Sequence, residues 1–468
     1  MIPVLSPEEM GRVDRSAPEP VDVLVGRAGF AVAGAARRLM GGAYGRRVLV
    51  IAGRGNNGAD GRVAAGWLDR WGARVRVAEP SAFAPGEHLG ACDLVVDAAY
   101  GTGLSRPYHP PDPGVVPVLA VDIPSGLSGL TGTGSAMTAT RTVTFASYKP
   151  GLLLGDGPDR TGVTELADIG LGSLAAESAR MWLLADEDLD LLPTRGRQAH
   201  KWQTAVMVVG GSEAMNGAPL MCASGAMRAG AGYALVGVPG APQGGGLPPG
   251  AQVGVSLDSD DWAEDAAEAA ARVKAVAIGP GLSRRARRAD GGTGVDTPVG
   301  RFLTATGVPT VVDADGLTAL GDIDAIRSVA TARSAPLILT PHEGEYSRIT
   351  GHEPAEDRIA DVAATARQTG AVVLLKGSTT VVADPDGRVM IAASGVPSLA
   401  TAGTGYVLSG MIAGFLARGV APLEAAALAA HVHGRAAAHG PREGLVATDL
   451  PELVSGFLSA HVRAGRDG

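Results

Sequence analysis

Two glycine-rich segments have the composition of phosphate cradles: GRGNNGADG at residues 53–61 and AGTGYVLSG at residues 402–410. Each follows an apolar or extended stretch and opens a helical pattern, so amide groups freed at a helix start can face an anion while glycine lets it approach. Polar groups also stand at four expected strand ends of the first half: Asn56, Asn57 and Asp60; Asp97 with Gly101; Asp122 with Ser125; and Lys149. A single Asp after a strand is more often a cap or turn former. Several at one sheet edge make a site, and Asn, Ser and carboxylate oxygens together suit a hard cation of either charge. In the second half Asp313, Asp315, His342 and Lys376 also follow apolar runs. Their plain readings are metal ligand or helix cap for the aspartates, turn residue for His342 and surface charge for Lys376.

The elements that would position these groups are legible as period and punctuation. From residue 46 the chain alternates β-branched runs (RRVLVIAG, ARVRVAEP, CDLVVDAAYG, PVLAVDIPSG, RTVTFASYKPG, VTELADIG) with helical patterns. Continuous apolar runs ending in Gly, Asp or Ser are the mark of buried parallel strands with ligand groups at their carboxyl ends. A Rossmann-like doubly wound sheet is expected, with residues 7–42 as helices packed on it. The alternation lapses over residues 171–195 and restarts at TAVMVVGGS, which places the boundary near Pro193 and gives domains 1–193 and 194–468. A helix is expected from 262 to 274, a turn at Pro385, Asp386 and Gly387, and helices after residue 406 and over 422–438.

Length and composition bound the rest. At about 100 to 200 residues per domain, 468 residues imply two or three domains. A net charge of -8 argues against a nucleic-acid-binding surface, and the one basic run, RRARR at 284–288, reads as a solvated face. Two cysteines, Cys92 and Cys222, are too few for a disulfide framework or a zinc site, so a reducing cytoplasm is expected. Neither a signal peptide nor a spanning segment is read from the sequence, so no membrane partner is expected. PGAPQGGGLPPG at 239–250 is the one low-complexity stretch.

The first half resembles the YjeF N-terminal family, the epimerases of hydrated NAD(P)H, over roughly residues 5–170. The segments that carry it are GRGNNGADG, VVDAAYGTG, AVDIPSG and RTVTFASYKPG, in the family's order. The resemblance implies that Asn56, Asn57, Gly58, Ala59 and Asp60 line the dinucleotide, together with Gly101, Thr102, Gly103, Leu104, Ser105, Arg106 and Pro107. It implies a potassium ion on Asn57, Asp97 and Ser125, and Asp122 as the proton-transfer group. Ala59 departs from the usual glycine, which predicts weakened binding.

The second half resembles the ribokinase-like ADP- or ATP-dependent dehydratases of hydrated NAD(P)H, over about residues 195–461. VMVVGGS, NGAP, MRAGAG, IGPGL, VVDADGL, LTPHEGE, LLKGSTT and ATAGTG followed by VLSG occur in family order. The fold class implied is therefore α/β throughout, a Rossmann-like domain followed by a ribokinase-like one, and the fusion is a known arrangement. By resemblance Lys376, Gly377, Ser378, Thr379 and Thr380 hold an adenine nucleotide, ADP or ATP with Mg2+. Gly403, Thr404 and Gly405 aim amides at the moving phosphoryl group, and Gly281 and His342 contact the hydrated NADH or NADPH. A homo-oligomer is expected.

One position breaks the pattern. The family follows its glycine nest with an aspartate that takes the proton from the acceptor hydroxyl, and here that place holds Tyr406. A phenol titrates near 10, and loss of a positioned base typically costs roughly 10² to 10⁴ in rate. Val396, Ser398 and Ala402 likewise replace an Asn and two glycines usual in this loop. Three functions compete on this evidence: a bifunctional repair enzyme, an epimerase carrying an inactive nucleotide-binding module, and another ribokinase-like small-molecule kinase, which Tyr406 would damage equally.

Overall fold

The computed structural model describes residues 1–104, 106–240, 252–257, 262–286 and 292–464. Ser105, residues 241–250 of the low-complexity stretch and residues 287–288 of the basic run lie outside them. The chain divides into two compact units, Ile2–Trp182 and Leu183–Gly468 with Met1. The second unit begins ahead of Pro193 because Leu184, Leu189 and Leu192 are buried in its core.

In the first unit six parallel strands lie in the order Arg74–Ala78, Arg47–Ala52, Leu94–Ala98, Val118–Val121, Arg141–Phe145 and Val163–Ala167. Alternation along one strand feeds two cores. Val48, Val50 and Ala52 meet residues of the helices Val21–Leu39 and Asn56–Arg70, whereas Leu49 and Ile51 pack with Leu89, Val95 and Met137 on the other face. The strand order turns back between Arg47–Ala52 and Leu94–Ala98, and ligands of open α/β sheets bind outside the carboxyl ends at such a switch. The expected leading helices are Pro7–Arg15 and Val21–Leu39. Ser6 starts the first with a reciprocal capping box: its Oγ accepts from Glu9 N (3.2 Å) and Glu9 Oε2 accepts from Ser6 N (2.8 Å).

In the second unit the strands run Val389–Ala392, Thr380–Ala383, Val372–Leu375, Leu337–Leu339, Thr310–Val312, Ala275–Ile278, Ala205–Val209, Tyr233–Gly237 and Gln252–Val255. The pairs from Val372–Leu375 to Gln252–Val255 are parallel; the two at the other side are antiparallel and include the hairpin whose turn was expected at 385–387. Helix Thr404–Ala417 is buried along almost its whole length and crosses helix Gly217–Arg228 at backbone contact. A Cβ on Gly410 would stand 1.8 Å from Cys222 O, and one on Gly225 would stand 2.4 Å from Val407 O. Only glycine permits this approach.

Several elements differ from the sequence reading. Residues 171–195 contain the helix Gly172–Ser178, the strand Met181–Leu183 and a 3-10 segment Asp186–Leu191, so the alternation continues there. Gln252–Val255 is a strand that adjoining low-complexity sequence concealed, and the helix from Trp262 stops at Ala270. None of the described helices is long and apolar enough to cross a membrane.

Candidate functional site

The first glycine loop leaves strand Arg47–Ala52 and enters helix Asn56–Arg70 through a closely packed turn. A Cβ on Gly58 would lie 1.9 Å from Gly53 O, and one on Gly53 would lie 1.9 Å from Ala99 O, which fixes glycine at both places. Arg62 closes the loop from behind, donating to Gly53 O (2.7 Å) and Ala52 O (3.2 Å). In front of it opens a cleft of about 530 Å³. Asn56, Asn57, Asp60, Gly101, Thr102, Gly103, Leu104, Arg106 and Asp122 line it, joined by Asp14, Gly55, Ala99 and Tyr100. Gly58, Ala59 and Pro107 lie outside that lining; the Ala59 amide is spent on Gly55 O (3.0 Å) inside the helix.

Asp122 sits on a strained backbone. Its φ is +65°, and Ile123 N donates to Val121 O (2.8 Å) across it, a three-residue turn of the rare hand. Non-glycine residues in such conformations cluster at functional sites. The side chain is held by Lys149, whose Nζ lies 2.5 Å from Asp122 Oδ1, and by Thr144 Oγ1, which donates to the same oxygen (3.1 Å). Lys149 itself is 1% exposed and anchored on Phe145 O (3.1 Å) and Ser147 O (3.3 Å).

Asp60 is buried beside this pair with no hydrogen bond or ion pair to any described residue. Burial, with the Asp122 and Asp14 carboxylates nearby, pushes it up to about 8. Burial also pushes Asp14 up, against the pull of Lys149. The cleft thus carries one ion-paired carboxylate, Asp122, and two carboxyls without an ion pair among the described residues, Asp14 and Asp60, both pushed toward the neutral form by burial, an arrangement that separates an acceptor from a donor of protons.

Asn57, Asp97 and Ser125 are all buried at the same switch point. Asp97 Oδ2 accepts from Ser125 N (2.9 Å), and Ser125 Oγ accepts from Tyr100 N (2.9 Å) and donates to Tyr100 O (3.0 Å). Neither the amide oxygen nor the amide nitrogen of Asn57 has a partner among the described residues. Such an orphan costs about 1–3 kcal/mol unless something unseen binds it.

The second glycine loop caps helix Thr404–Ala417 with Gly403 at φ +95°. A Cβ on Gly405 would come within 3.5 Å of Lys376 Nζ, so the nest and the lysine are neighbours. Lys376 is held by Asp313 Oδ1 (2.9 Å) with Glu345 Oε2 at 3.8 Å, and Asp313 Oδ2 accepts from Ser409 Oγ (2.8 Å). His342 caps helix Glu343–Thr350, its Nδ1 accepting from Gly344 N (3.0 Å) and Glu345 N (3.3 Å) and its Nε2 left 3.6 Å from Glu345 Oε1. Gly281, at φ +71°, packs against Met215 and Ala218; the next turn is tied to the cluster by Ser283 N donating to Asp315 Oδ2 (2.8 Å). Gly377 to Thr380 continue from Lys376 into the strand Thr380–Ala383. Asp313 is therefore an ion-pair partner, and Asp315 the first residue of helix Asp315–Leu320.

Tyr406 is half-buried and packs against the apolar core of its unit. Burial, then the Asp313, Asp315 and Glu345 carboxylates, push its phenol up, further from any basic form at neutral pH. The sequence reading missed Asp14, which arrives from helix Pro7–Arg15 far from any motif, and Tyr100 between two named positions. It also missed Ser409 and Glu345, although both stand inside quoted segments.

Comparison with known proteins matches both units. A family described as YjeF-related protein N-terminus matches residues 21–90 and 79–151, and one described as NAD(P)H-hydrate dehydratase matches residues 206–458. The bifunctional NAD(P)H-hydrate repair enzyme of Salinibacter ruber is 36% identical over 99% of this chain and 97% of its own. Those of Moorella thermoacetica (37%, over 95% and 94%) and Mycobacterium leprae (36%, over 94% and 95%) are similar to it as well. Among solved structures, the ADP/ATP-dependent NAD(P)H-hydrate dehydratase from Bacillus subtilis, co-crystallized with ATP/Mg2+, aligns at 27% identity over 60% of this chain and 98% of its own, with a TM-score of 0.48. With both units matched in order and full-length relatives well above 30% identity, the chain belongs to the bifunctional NAD(P)H-hydrate repair enzyme family.

Proposed function

We propose that the chain repairs hydrated NAD(P)H, interconverting the R and S hydrates in its first unit and dehydrating the S hydrate with an adenine nucleotide in its second. The observation that carries the first activity is the pairing of a Lys149-bound Asp122 with the unpartnered Asp60 on one cleft. The hydrated ring carbon bears a hydroxyl next to the ring nitrogen. Asp60 gives its proton to that hydroxyl, the C–O bond breaks with release of water, and the nitrogen lone pair carries the resulting cation. Water then adds from the opposite face and surrenders a proton to Asp122. The reverse epimer exchanges the two roles, as general acid and base must.

A potassium ion fits Asn57, Asp97 and Ser125, because the Asn57 amide oxygen is buried and otherwise unused. When bound there it supplies fixed positive charge beside the cleft; Asn57 and Ser125 orient around it. In the second unit Gly403 to Gly405 and Lys376 to Thr380 would hold the nucleotide phosphates, and Gly281 and His342 the hydrated ring. A magnesium ion travelling with those phosphates would need only one or two protein carboxylates, and Asp315, bonded through Oδ2 alone, would be the one to supply it. Phosphoryl transfer asks the protein chiefly for position and charge. The phosphorylated ring then expels phosphate, driven by its own nitrogen.

A second reading rests on Tyr406, with Val396, Ser398 and Ala402 in the same loop: an epimerase whose second unit binds nucleotide without turnover. Mixed hydrate epimers incubated with and without ADP or ATP, while reduced-nicotinamide absorbance is followed, test both. Growth of absorbance with nucleotide supports two activities. Epimer exchange without growth, beside calorimetric nucleotide binding, supports the second reading, and the absence of exchange overturns both.

A further inference from the structure

The second unit carries a cleft of about 250 Å³ that no step above uses. Thr204 and Gly232 on its wall precede the first residues of strands Ala205–Val209 and Tyr233–Gly237, so it lies at the amino ends of the sheet. The nucleotide residues follow the carboxyl ends. Arg195, Lys201 and Arg418 converge on this cleft, and among the described residues no carboxylate lines it.

Two of these cations are placed side by side by their own anchors. Arg195 Nη2 donates to Gly230 O (2.7 Å), and Arg418 Nη1 donates to the adjoining Ala229 O (3.0 Å) while its Nη2 donates to Pro193 O (2.5 Å). Burial, then the charge of Arg195, pull Arg418 down. Lys201 lies 4.6 Å from the centre of the Tyr233 ring. Carbonyls at the end of helix Gly217–Arg228 take one contact of each guanidinium and Pro193 O a second from Arg418; each five-donor fork keeps further N–H groups to donate. Two neutral side chains of the wall already accept a hydrogen bond. Gln203 Oε1 accepts from His200 N (3.1 Å) and Thr204 Oγ1 accepts from Gly232 N (2.9 Å), which leaves the Gln203 amide protons and the Thr204 hydroxyl proton to donate. A wall of donors around adjacent like charges is complementary to a compact polyanion, the more so because guanidinium forks match phosphate oxygens in pairs.

From this geometry we infer that the cleft formed by Arg195, Gln203, Lys201, Thr204 and Arg418 is a second anion site, taking a phosphate dianion or the terminal phosphoryl group of a nucleotide. It is separate from the nest at Gly403 to Gly405, and it stands whether or not the second unit turns over.

Calorimetric titration of the full chain with orthophosphate at fixed ionic strength tests it, using the wild type, the exposed-residue double variant R195Q/K201Q and, separately, K376Q. The expected result is one phosphate site that K376Q retains and R195Q/K201Q weakens by about tenfold or more, as two charge-assisted contacts require. Retention of wild-type affinity by R195Q/K201Q overturns the inference, as does loss of the site in K376Q alone. A parallel titration with ADP separates the sources: a second ADP site removed by R195Q/K201Q identifies a nucleotide phosphoryl group, and one ADP site removed only by K376Q identifies free phosphate. Crystals soaked in tungstate give a readout that no folding defect can mimic. An anomalous peak between Arg195 and Arg418 supports the site, and a peak confined to the glycine nests overturns it.

Discussion

The two glycine nests use the same backbone device with unequal surroundings. The first, at residues 53–61, opens on a cleft where Asp122 is ion-paired and Asp60 is held neutral by burial and by its carboxylate neighbours. The second, at residues 402–410, opens beside Lys376, but its carboxylates Asp313 and Glu345 are engaged with that lysine and the adjoining side chain is a phenol pushed away from ionisation. On the proposed function a nest would grip its anion through geometry alone, whereas moving a proton would depend on one neighbouring side chain. Binding and chemistry can be lost separately.

Five substitutions sharpen or break this contrast. Asp122→Asn should lower accelerated epimer exchange by roughly 10² to 10⁴-fold, read by chromatography of the two hydrates; normal exchange in that variant would move the acceptor role elsewhere. Tyr406→Asp should raise dehydration by about 10²-fold by restoring a base, and no gain would mean that the surrounding pocket, with Val396, Ser398 and Ala402, has also changed. Asp60→Asn should cut exchange while stabilising the fold. The native carboxyl, with its pKa near 8, binds its proton more tightly than the unfolded chain does near 4, so its stability contribution is full below about pH 4 and is lost as pH rises toward 8. An asparagine escapes that loss. Thermal melts should show the variant more stable at pH 7, by an amount on the order of a few kcal/mol, and level with wild type near pH 4; equal melts at both pH values would refute the neutral-carboxyl assignment. Finally, Gly58→Ala should cost about 1–3 kcal/mol through its collision with Gly53 O, whereas Gly405→Ala, which meets only a lysine tip at 3.5 Å, should leave the melting point nearly unchanged.

Much of the site was readable before any coordinates because parallel strands end in their ligands. Asn57, Asp60, Asp97, Asp122 and Ser125 each end or follow an apolar run; the sheet order brings Asn57, Asp60 and Asp122 onto one cleft and bonds Ser125 to Asp97. What escaped notice came from elsewhere in the chain or depended on partners. Asp14 belongs to a leading helix whose pattern reads only as packing, and the neutrality of Asp60 arises from burial and two distant carboxylates. Ser409 repeats the lesson in the other unit, since its role is defined by Asp313, 96 residues away. The strand Gln252–Val255 was hidden by its glycine- and proline-rich neighbours, and the short elements over 172–191 are too brief to impose a period.

The contact between helices Gly217–Arg228 and Thr404–Ala417 bears on how such a chain can change over generations. Gly410 and Gly225 let the two backbones touch, and Gly403 begins the helix that fills the middle of the second unit. Removing these glycines would unseat a helix on which the entire domain rests, while exchanging the half-buried residue at 406 leaves both close approaches in place. Selection for a folded domain thus preserves the outline of a phosphate loop independently of its reaction, and leaves change free to enter at neighbouring positions such as 406 that the packing does not fix.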